Sequence, residues 1–476
     1  MINRLLRDGA IYAAAAIVSR AMAFALVPLY TRLLSPDDYG AMDLLLTCGL
    51  LVNLVAAMEV AQGMAREWGG EPDPEARRRM ASTALLFTLG MHAGFLALAL
   101  PFSHTLAGML LGSASFEPAL RAGLVFVALN AVFLQLQGQF RWELRPSGYA
   151  AISVLNSALT VLLGVALGRG WGLVGVLLGQ ALAAGVTAVV SLWLLRGSLR
   201  PVLDRAQLAR MLRFSLPLVP AGLALFASFY LNRLMLNAMA TLADVGVFSV
   251  ATRVAAITTL LIVGLQGALT PLVYVHHRDP GVPAQLARLL EAFVALALLL
   301  CFLMSVFAGE LLALIAAPDY AAAAVLLPWL VPAALLAQMY IFAPGIAIER
   351  RTVWQLALSF ASAVVSAGLN TWLIPRWGAL GAAVATCAAA ALFFGLWLVA
   401  SQRLYPLPLR GGALMASLAT YLLLLTAGAR LDGLVESAVL RTSLKCLGLL
   451  GLAGVLLGLG LIPWRQLLRR RWTGLS

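Results

Sequence analysis

Two arginines stand at depths where an apolar chain has little reason to carry charge. Arg20 lies near the middle of an apolar run from 10 to 31, and Arg253 about nine residues into another from 244 to 266. A charge facing lipid at such depth costs at least ~2.5–3.5 kcal/mol, so each guanidinium must face protein or water. There its planar fork of donors holds phosphate or carboxylate oxygens in pairs. The chemistry expected of both is recognition of an anion; an internal ion pair or carbonyl contact is the packing alternative. Arg233 closes the run from 214 to 234. It is a third candidate for the anion, or a side chain that snorkels to the surface.

Glu59 has Gln62 and Arg66 on the same helical face at i+3 and i+7. A buried carboxylate there would couple movement to a proton or sodium ion, whereas an interfacial acid would be neutralised by Arg66 or Arg141. Asp43 and Asp244 fall at helix beginnings, where the helix dipole favours acids, and are expected to serve as caps. The pair Asp37 and Asp38, in Ser35-Pro36-Asp37-Asp38-Tyr39-Gly40, would suit a metal-dependent membrane glycosyltransferase, yet this stretch is a Pro/Asp/Gly turn entering a helix. Gln135, Gln139, Asn156, Thr160, Ser362, Ser366 and Asn370 lie inside apolar runs. They would line a hydrophilic path for hydroxyls, or else join helices by hydrogen bonds worth about 0.6 kcal/mol each.

His92 reads as an interior histidine and His276-His277 as part of a solvated loop, and the four cysteines are far apart. No metal site and no disulfide framework is expected. Lys445 is the single lysine, so a phosphate-binding loop of the form G-x-x-x-x-G-K-[ST] is absent. No cofactor is expected; energy would come from an ion gradient, the membrane potential or substrate concentration.

The elements that must position these residues follow from composition. Of 476 residues, 62% are hydrophobic and 11% charged, with mean hydropathy +0.94, far from a soluble domain. Fourteen apolar segments are expected, at about 10–31, 40–62, 81–101, 119–140, 148–168, 172–195, 214–234, 244–266, 286–308, 321–343, 352–374, 378–400, 412–428 and 441–462. Almost nothing is left for an aqueous catalytic domain, which disfavours an ATP-driven pump or a large ligase. The net charge of +13 does not imply nucleic acid, because the bases sit in short connections beside apolar segments. With both termini cytoplasmic, 23 of the 33 bases fall on the cytoplasmic side, as the positive-inside bias requires. The first segment has no small-residue cleavage site and is expected to be a retained span. Anionic membrane lipids are expected neighbours of the basic connections.

An internal duplication appears without gaps at an offset of 206 residues. Arg4-Leu5-Leu6-Arg7 lies on Arg210-Met211-Leu212-Arg213, while Ser35, Asp38 and Gly40 lie on Thr241, Asp244 and Gly246. Trp171-Gly172 and Gly175 match Trp377-Gly378 and Gly381, and Ser153, Asn156 and Thr160 match Ser359, Ser362 and Ser366. Six segments separate equivalents, so the copies are expected to be parallel bundles, with substrate between them and one bundle rocking against the other. The expected fold is all-α and integral to the membrane, with about fourteen spans. Residues 1–205 and 206–405 would form two six-helix bundles, and 406–476 two additional helices with a basic tail.

The chain resembles the polysaccharide transporter branch of the multidrug/oligosaccharidyl-lipid/polysaccharide exporter superfamily. The resemblance rests on Pro28 to Gly40 (PLYTRLLSPDDYG), Leu212 to Pro220 (LRFSLPLVP), Gly246 to Arg253 (GVFSVATR), Pro318 to Tyr320, and Leu373 to Thr386 (LIPRWGALGAAVAT). It implies a MATE-like fold around a cationic, alternately opened cavity, in a flippase of the bacterial cytoplasmic membrane and not an enzyme. The implied substrate is an undecaprenyl-pyrophosphate-linked oligosaccharide, for O-antigen, lipopolysaccharide or exopolysaccharide synthesis, and the implied cavity arginines are Arg20 and Arg253. A polysaccharide polymerase and a chain-length regulator would be partners. The alternatives are a cation-coupled multidrug antiporter or a lipid II flippase of the same superfamily, and, from another class, a membrane glycosyltransferase or polymerase.

Overall fold

The computed structural model describes residues 2–262, 265, 273, 279–349, 351–434 and 437–462. His276-His277, Arg278, Arg350 and the basic tail beyond 462 lie outside the described residues. The described chain is all-α, and ten helices in it are long and apolar enough to cross a membrane. It divides into two compact units, residues 1–249 and 250–476.

In the first unit the helices are α1 (Ile2–Tyr30), α2 (Pro36–Ala56), α3 (Val60–Gly70), α4 (Pro74–Ala99), α5 (Ser103–Leu111), α6 (Glu117–Trp142), α7 (Pro146–Leu194), α8 (Arg205–Ser215), α9 (Leu218–Met239) and α10 (Leu242–Ala256), the last running on into the second unit. Its core is built where α6 lies along α7: Phe133, Leu136 and Phe140 pack on Ile152, Ala184 and Ala188. In the second unit follow α11 (Val282–Val306), α12 (Ala308–Ile315), α13 (Leu327–Leu336), α14 (Gly345–Ile348), α15 (Thr352–Leu404), α16 (Gly411–Leu434) and α17 (Ala438–Gly458). Trp397 of α15 donates its indole N–H to the Ala343 carbonyl at 3.0 Å, holding the short α14 region against that helix.

Two helices are far longer than a bilayer needs. α7 has 49 residues and α15 has 53, and each spans two of the expected segments. The physical reason is the connection between them. Gly172 has φ 53°, ψ −132° and Gly378 has φ 53°, ψ −130°, a backbone that side-chain-bearing residues rarely adopt. Gly378 alone in α15, and Gly172 with Trp171 (φ −128°, ψ 16°) in α7, leave helical backbone, so the polypeptide turns back with almost no loop. The two glycines are 206 residues apart and their dihedrals agree within a few degrees.

The expected run from 40 to 62 is interrupted. α2 ends at Ala56 and α3 starts at Val60, because Met58 and Glu59 both take left-handed backbone, with φ 48° and 52°. Nothing in residue type announces this break, since neither glycine nor proline stands there. α4 begins earlier than expected, at Pro74, where the Asp73 carboxylate accepts from the amides of Glu75 (3.0 Å) and Ala76 (3.1 Å) and caps the helix.

Candidate functional site

α2 and α10 start with the same local chemistry. At α2 the Asp38 amide donates to Ser35 Oγ at 3.1 Å, and that hydroxyl donates to the Asp38 carboxylate at 3.0 Å. At α10 the Asp244 amide donates to Thr241 Oγ1 at 3.1 Å, and the threonine hydroxyl and amide donate to the Asp244 carboxylate at 2.7 and 3.2 Å. Each is a reciprocal helix cap. Asp38 is therefore spent on capping, which removes half of the acidic pair that a metal-dependent transferase would need. Asp244 caps as expected.

Just inside these caps the two helices meet at backbone contact. A Cβ built on Gly40 would overlap the Leu242 carbonyl oxygen, and one on Gly246 would overlap the Pro36 carbonyl oxygen. Gly40 and Gly246, like Pro36 and Leu242, are 206 apart. The seam is thus made by matching positions of the two sequence copies.

One turn deeper lies a charged cluster. Asp43 is buried and does not cap α2. Its Oδ2 accepts from Arg233 Nε at 2.9 Å and from Ser249 Oγ at 2.6 Å. Arg233 is only 12% exposed and lies over the rings of Tyr230 (5.5 Å) and Phe248 (5.8 Å), contacts that favour a desolvated cation. Ser249 is the residue 206 beyond Asp43. In this structure Arg233 is paired with Asp43 and largely buried and does not reach out to the surface.

The other sequence candidates are distributed differently. Arg20 lies in α1, inside the apolar stretch Ala14–Tyr30. It is exposed, and no ion pair is formed by it among the described residues. Arg253 is half-buried near the end of α10; it belongs to the second unit and Arg20 to the first. Glu59 is half-buried at the break between α2 and α3 and lacks an ion pair among the described residues.

The polar residues make hydrogen bonds inside the protein, some between helical segments and some, at Gln139 and Asn370, within their own helix. Gln135 donates to Met64 Sδ (3.6 Å) and Gln139 to the Glu143 carboxylate (2.9 Å). Asn156 accepts from Thr187 Oγ1 (3.1 Å), linking the two halves of α7, and the Thr160 carbonyl accepts from the Tyr30 hydroxyl (3.4 Å). In α15, Ser362 donates to the Ala389 carbonyl (3.0 Å) and Asn370 to Ser366 Oγ (3.3 Å). His92 is buried, with Nδ1 2.9 Å from the Thr88 carbonyl. Among the described residues no group of three His, Cys, Asp or Glu side chains is placed to hold a metal ion.

A family model described as "Polysaccharide biosynthesis protein" matches residues 5–274. The chain belongs to this family. The match runs from the first turns of α1 through α10, and takes in the seam and the Asp43 cluster. No curated protein matches the sequence. Among solved structures, "Lipid II flippase MurJ, inward closed conformation" is similar with TM-score 0.71 and 10% identity, over 96% of this chain and 99% of that one. A "multidrug resistance MATE family transporter of the MOP superfamily" in an inward-facing conformation is similar with TM-score 0.57 and 18% identity, over 81% and 94%. A mutant form of the Vibrio cholerae MATE transporter VcmN is similar with TM-score 0.56 and 15% identity, over 84% and 96%. At these identities the likeness establishes the fold, which is MATE-like and of a kind used by transporters and flippases.

Proposed function

We propose that the chain is a flippase that moves an undecaprenyl-pyrophosphate-linked oligosaccharide across the bacterial cytoplasmic membrane by alternating access, supplying O-antigen, lipopolysaccharide or exopolysaccharide synthesis. The observation that carries this reading is Arg20: a permanent cation inside an apolar helical stretch, exposed, with no acid paired to it among the described residues. Such a group is suited to a pyrophosphate. Arg253, on a helix of the second sequence copy, would be a second cation for the same headgroup. The bundles would be residues 1–205 and 206–405, with 406–476 added to the second. A polymerase and a chain-length regulator would act on the product.

On this reading the α2–α10 seam is one closed gate. Its helices come from different sequence copies, so rocking one bundle against the other parts Gly40 from Gly246 and pulls Asp43 from Arg233 and Ser249. An ion pair that is buried when shut and hydrated when open makes the gate bistable, because intermediate separations lose the pairing before they regain water.

Two further readings stay in view. The likeness to MurJ fits a lipid II substrate, and Glu59, without an ion pair among the described residues, fits a cation-coupled antiporter of the MATE kind. Proteoliposomes holding the purified chain test all three. The proposal expects transbilayer movement of the pyrophosphate-linked oligosaccharide; preference for lipid II, or exchange of an organic cation against protons that Glu59→Gln abolishes, would replace it.

A further inference from the structure

One surface of the first unit is not used by the transport reading. α3 and α8 have eleven residues each, too few to cross a bilayer. They pack on each other so closely that a Cβ on Gly63 would overlap the Met211 carbonyl oxygen, and Met64, Met80 and Ala84 complete a small core beneath them. The segment that leads into α8 is stitched to α4. The Arg200 amide donates to Ser82 Oγ (2.7 Å), the Asp204 amide to Thr83 Oγ1 (2.9 Å), and Gln207 Nε2 to the Ala76 carbonyl (3.2 Å). One face of α8 is therefore fixed against protein.

The opposite face of α8 is basic and exposed. It presents Arg205, Arg210 and Arg213, and beside it Arg66 of α3 is stacked 4.4 Å over the Phe214 ring. Acids on this surface are already engaged. Glu75 pairs with Arg200 and, at 3.7 Å, with Arg78; Glu67 lies 3.8 Å from Arg210; and Asp204 accepts the first amides of α8. Among the described residues Arg66, Arg205 and Arg213 form no ion pair. Exposed apolar side chains flank them: Val202 and Leu203 just before α8 and Leu216 just after it.

Unpaired arginines bracketed by exposed aliphatic side chains, on a short helix next to membrane spans, make a surface for the boundary between headgroups and acyl chains. We propose that α8 lies in the plane of the membrane interface and that Arg66, Arg205 and Arg213 bind the phosphate groups of anionic bilayer lipids. A nucleic acid or a soluble acidic partner would leave Val202, Leu203 and Leu216 without a place to go. The site is separate from the seam, so it holds whether or not the transported substrate is as proposed above.

The test uses the full chain in a neutral detergent, with its thermal unfolding followed while phosphatidylglycerol, phosphatidylcholine or inorganic phosphate is added. Wild type should gain stability from phosphatidylglycerol alone. Each basic residue near an anionic surface contributes about fivefold in binding, so Arg66→Gln, Arg205→Gln and Arg213→Gln together should raise the half-saturating lipid concentration on the order of 100-fold. The triple lysine variant should keep most of the effect. The single Arg205→Gln variant, which removes an exposed side chain, covers the case in which the triple variant fails to fold and should show one step of about fivefold. Equal stabilisation by phosphatidylcholine, an unchanged lipid dependence in the glutamine variants, or full replacement of the lipid by inorganic phosphate would overturn the proposal.

Discussion

Gly40 and Gly246 face each other across the α2–α10 seam, each lying where a methyl group would strike the other helix's backbone. They occupy the same position in the two sequence copies, 206 residues apart. A local pseudo-twofold relation therefore runs through this contact. Gly40→Ala and Gly246→Ala should each destabilise the seam by about 1–3 kcal/mol, read as a lower thermal midpoint in detergent. The two penalties should be similar, and Gly94→Ala, inside α4 with open space around its Cβ position, should not lower the midpoint, because alanine favours helix over glycine.

The Asp43 cluster gives a second prediction. Asp43→Asn leaves Arg233 as a buried cation without its partner, at a cost of about 3–5 kcal/mol. Arg233→Gln takes away the guanidinium donor and leaves the Ser249 hydroxyl on the same carboxylate oxygen. The double variant should be less destabilised than the sum of the single ones, because removing the second charge relieves the first. Additive losses in this double-mutant cycle would show that the pair is not coupled.

The turns at Gly172 and Gly378 give a third. Alanine at either forces a side chain into a backbone region where it is strained by about 1–3 kcal/mol. Open space surrounds the Cβ position of Gly172, so Gly172→Ala measures backbone strain alone. A midpoint equal to wild type would contradict the tight reversal in α7.

The last two helices are fastened to α11 and α12. Arg410 donates through Nε and Nη2 to Glu291 Oε2 (2.9 and 2.6 Å) and through its amide to Oε1 (2.8 Å). It also reaches the carbonyls of Leu459 (3.2 Å) and Gly460 (2.9 Å) at the end of α17. The Glu291 carboxylate holds the Arg410 guanidinium above its usual pKa. Lys445 of α17 donates to Glu310 of α12 at 2.9 Å and is buried. Glu291→Gln should loosen α16 and α17 and accelerate proteolysis near residues 405–411 severalfold. Arg403 forms no ion pair among the described residues, so Arg403→Gln should leave the rate unchanged.

How much of this was legible in the sequence depends on how local the signal is. The turn at Gly172, the caps at Ser35 and Thr241, and the seam glycines all belong to short motifs that recur at one offset, so comparison of the chain with itself exposes them. The Asp43–Arg233 pair spans 190 residues and exists only because α2, α9 and α10 converge; each residue alone read as a cap or an interfacial base. The break at Met58-Glu59 was invisible because left-handed backbone there has no glycine to mark it. Polar side chains at helical spacing told which face they share but not what that face meets; Asn156 in α7 and Ser362 in α15 meet the other half of their own hairpin.

The measurement that bears most directly on the central claim is transbilayer movement of an undecaprenyl-pyrophosphate-linked oligosaccharide in proteoliposomes, comparing wild type with Arg20→Ala, Arg20→Lys and Arg253→Ala at matched protein levels. The account predicts movement by wild type and partial retention in Arg20→Lys. It predicts loss of a factor of roughly 10–100 in Arg20→Ala and Arg253→Ala, in line with about 1.5–3 kcal/mol for a hydrogen bond to a charged group. Undiminished movement in both alanine variants would contradict the cationic-cavity mechanism.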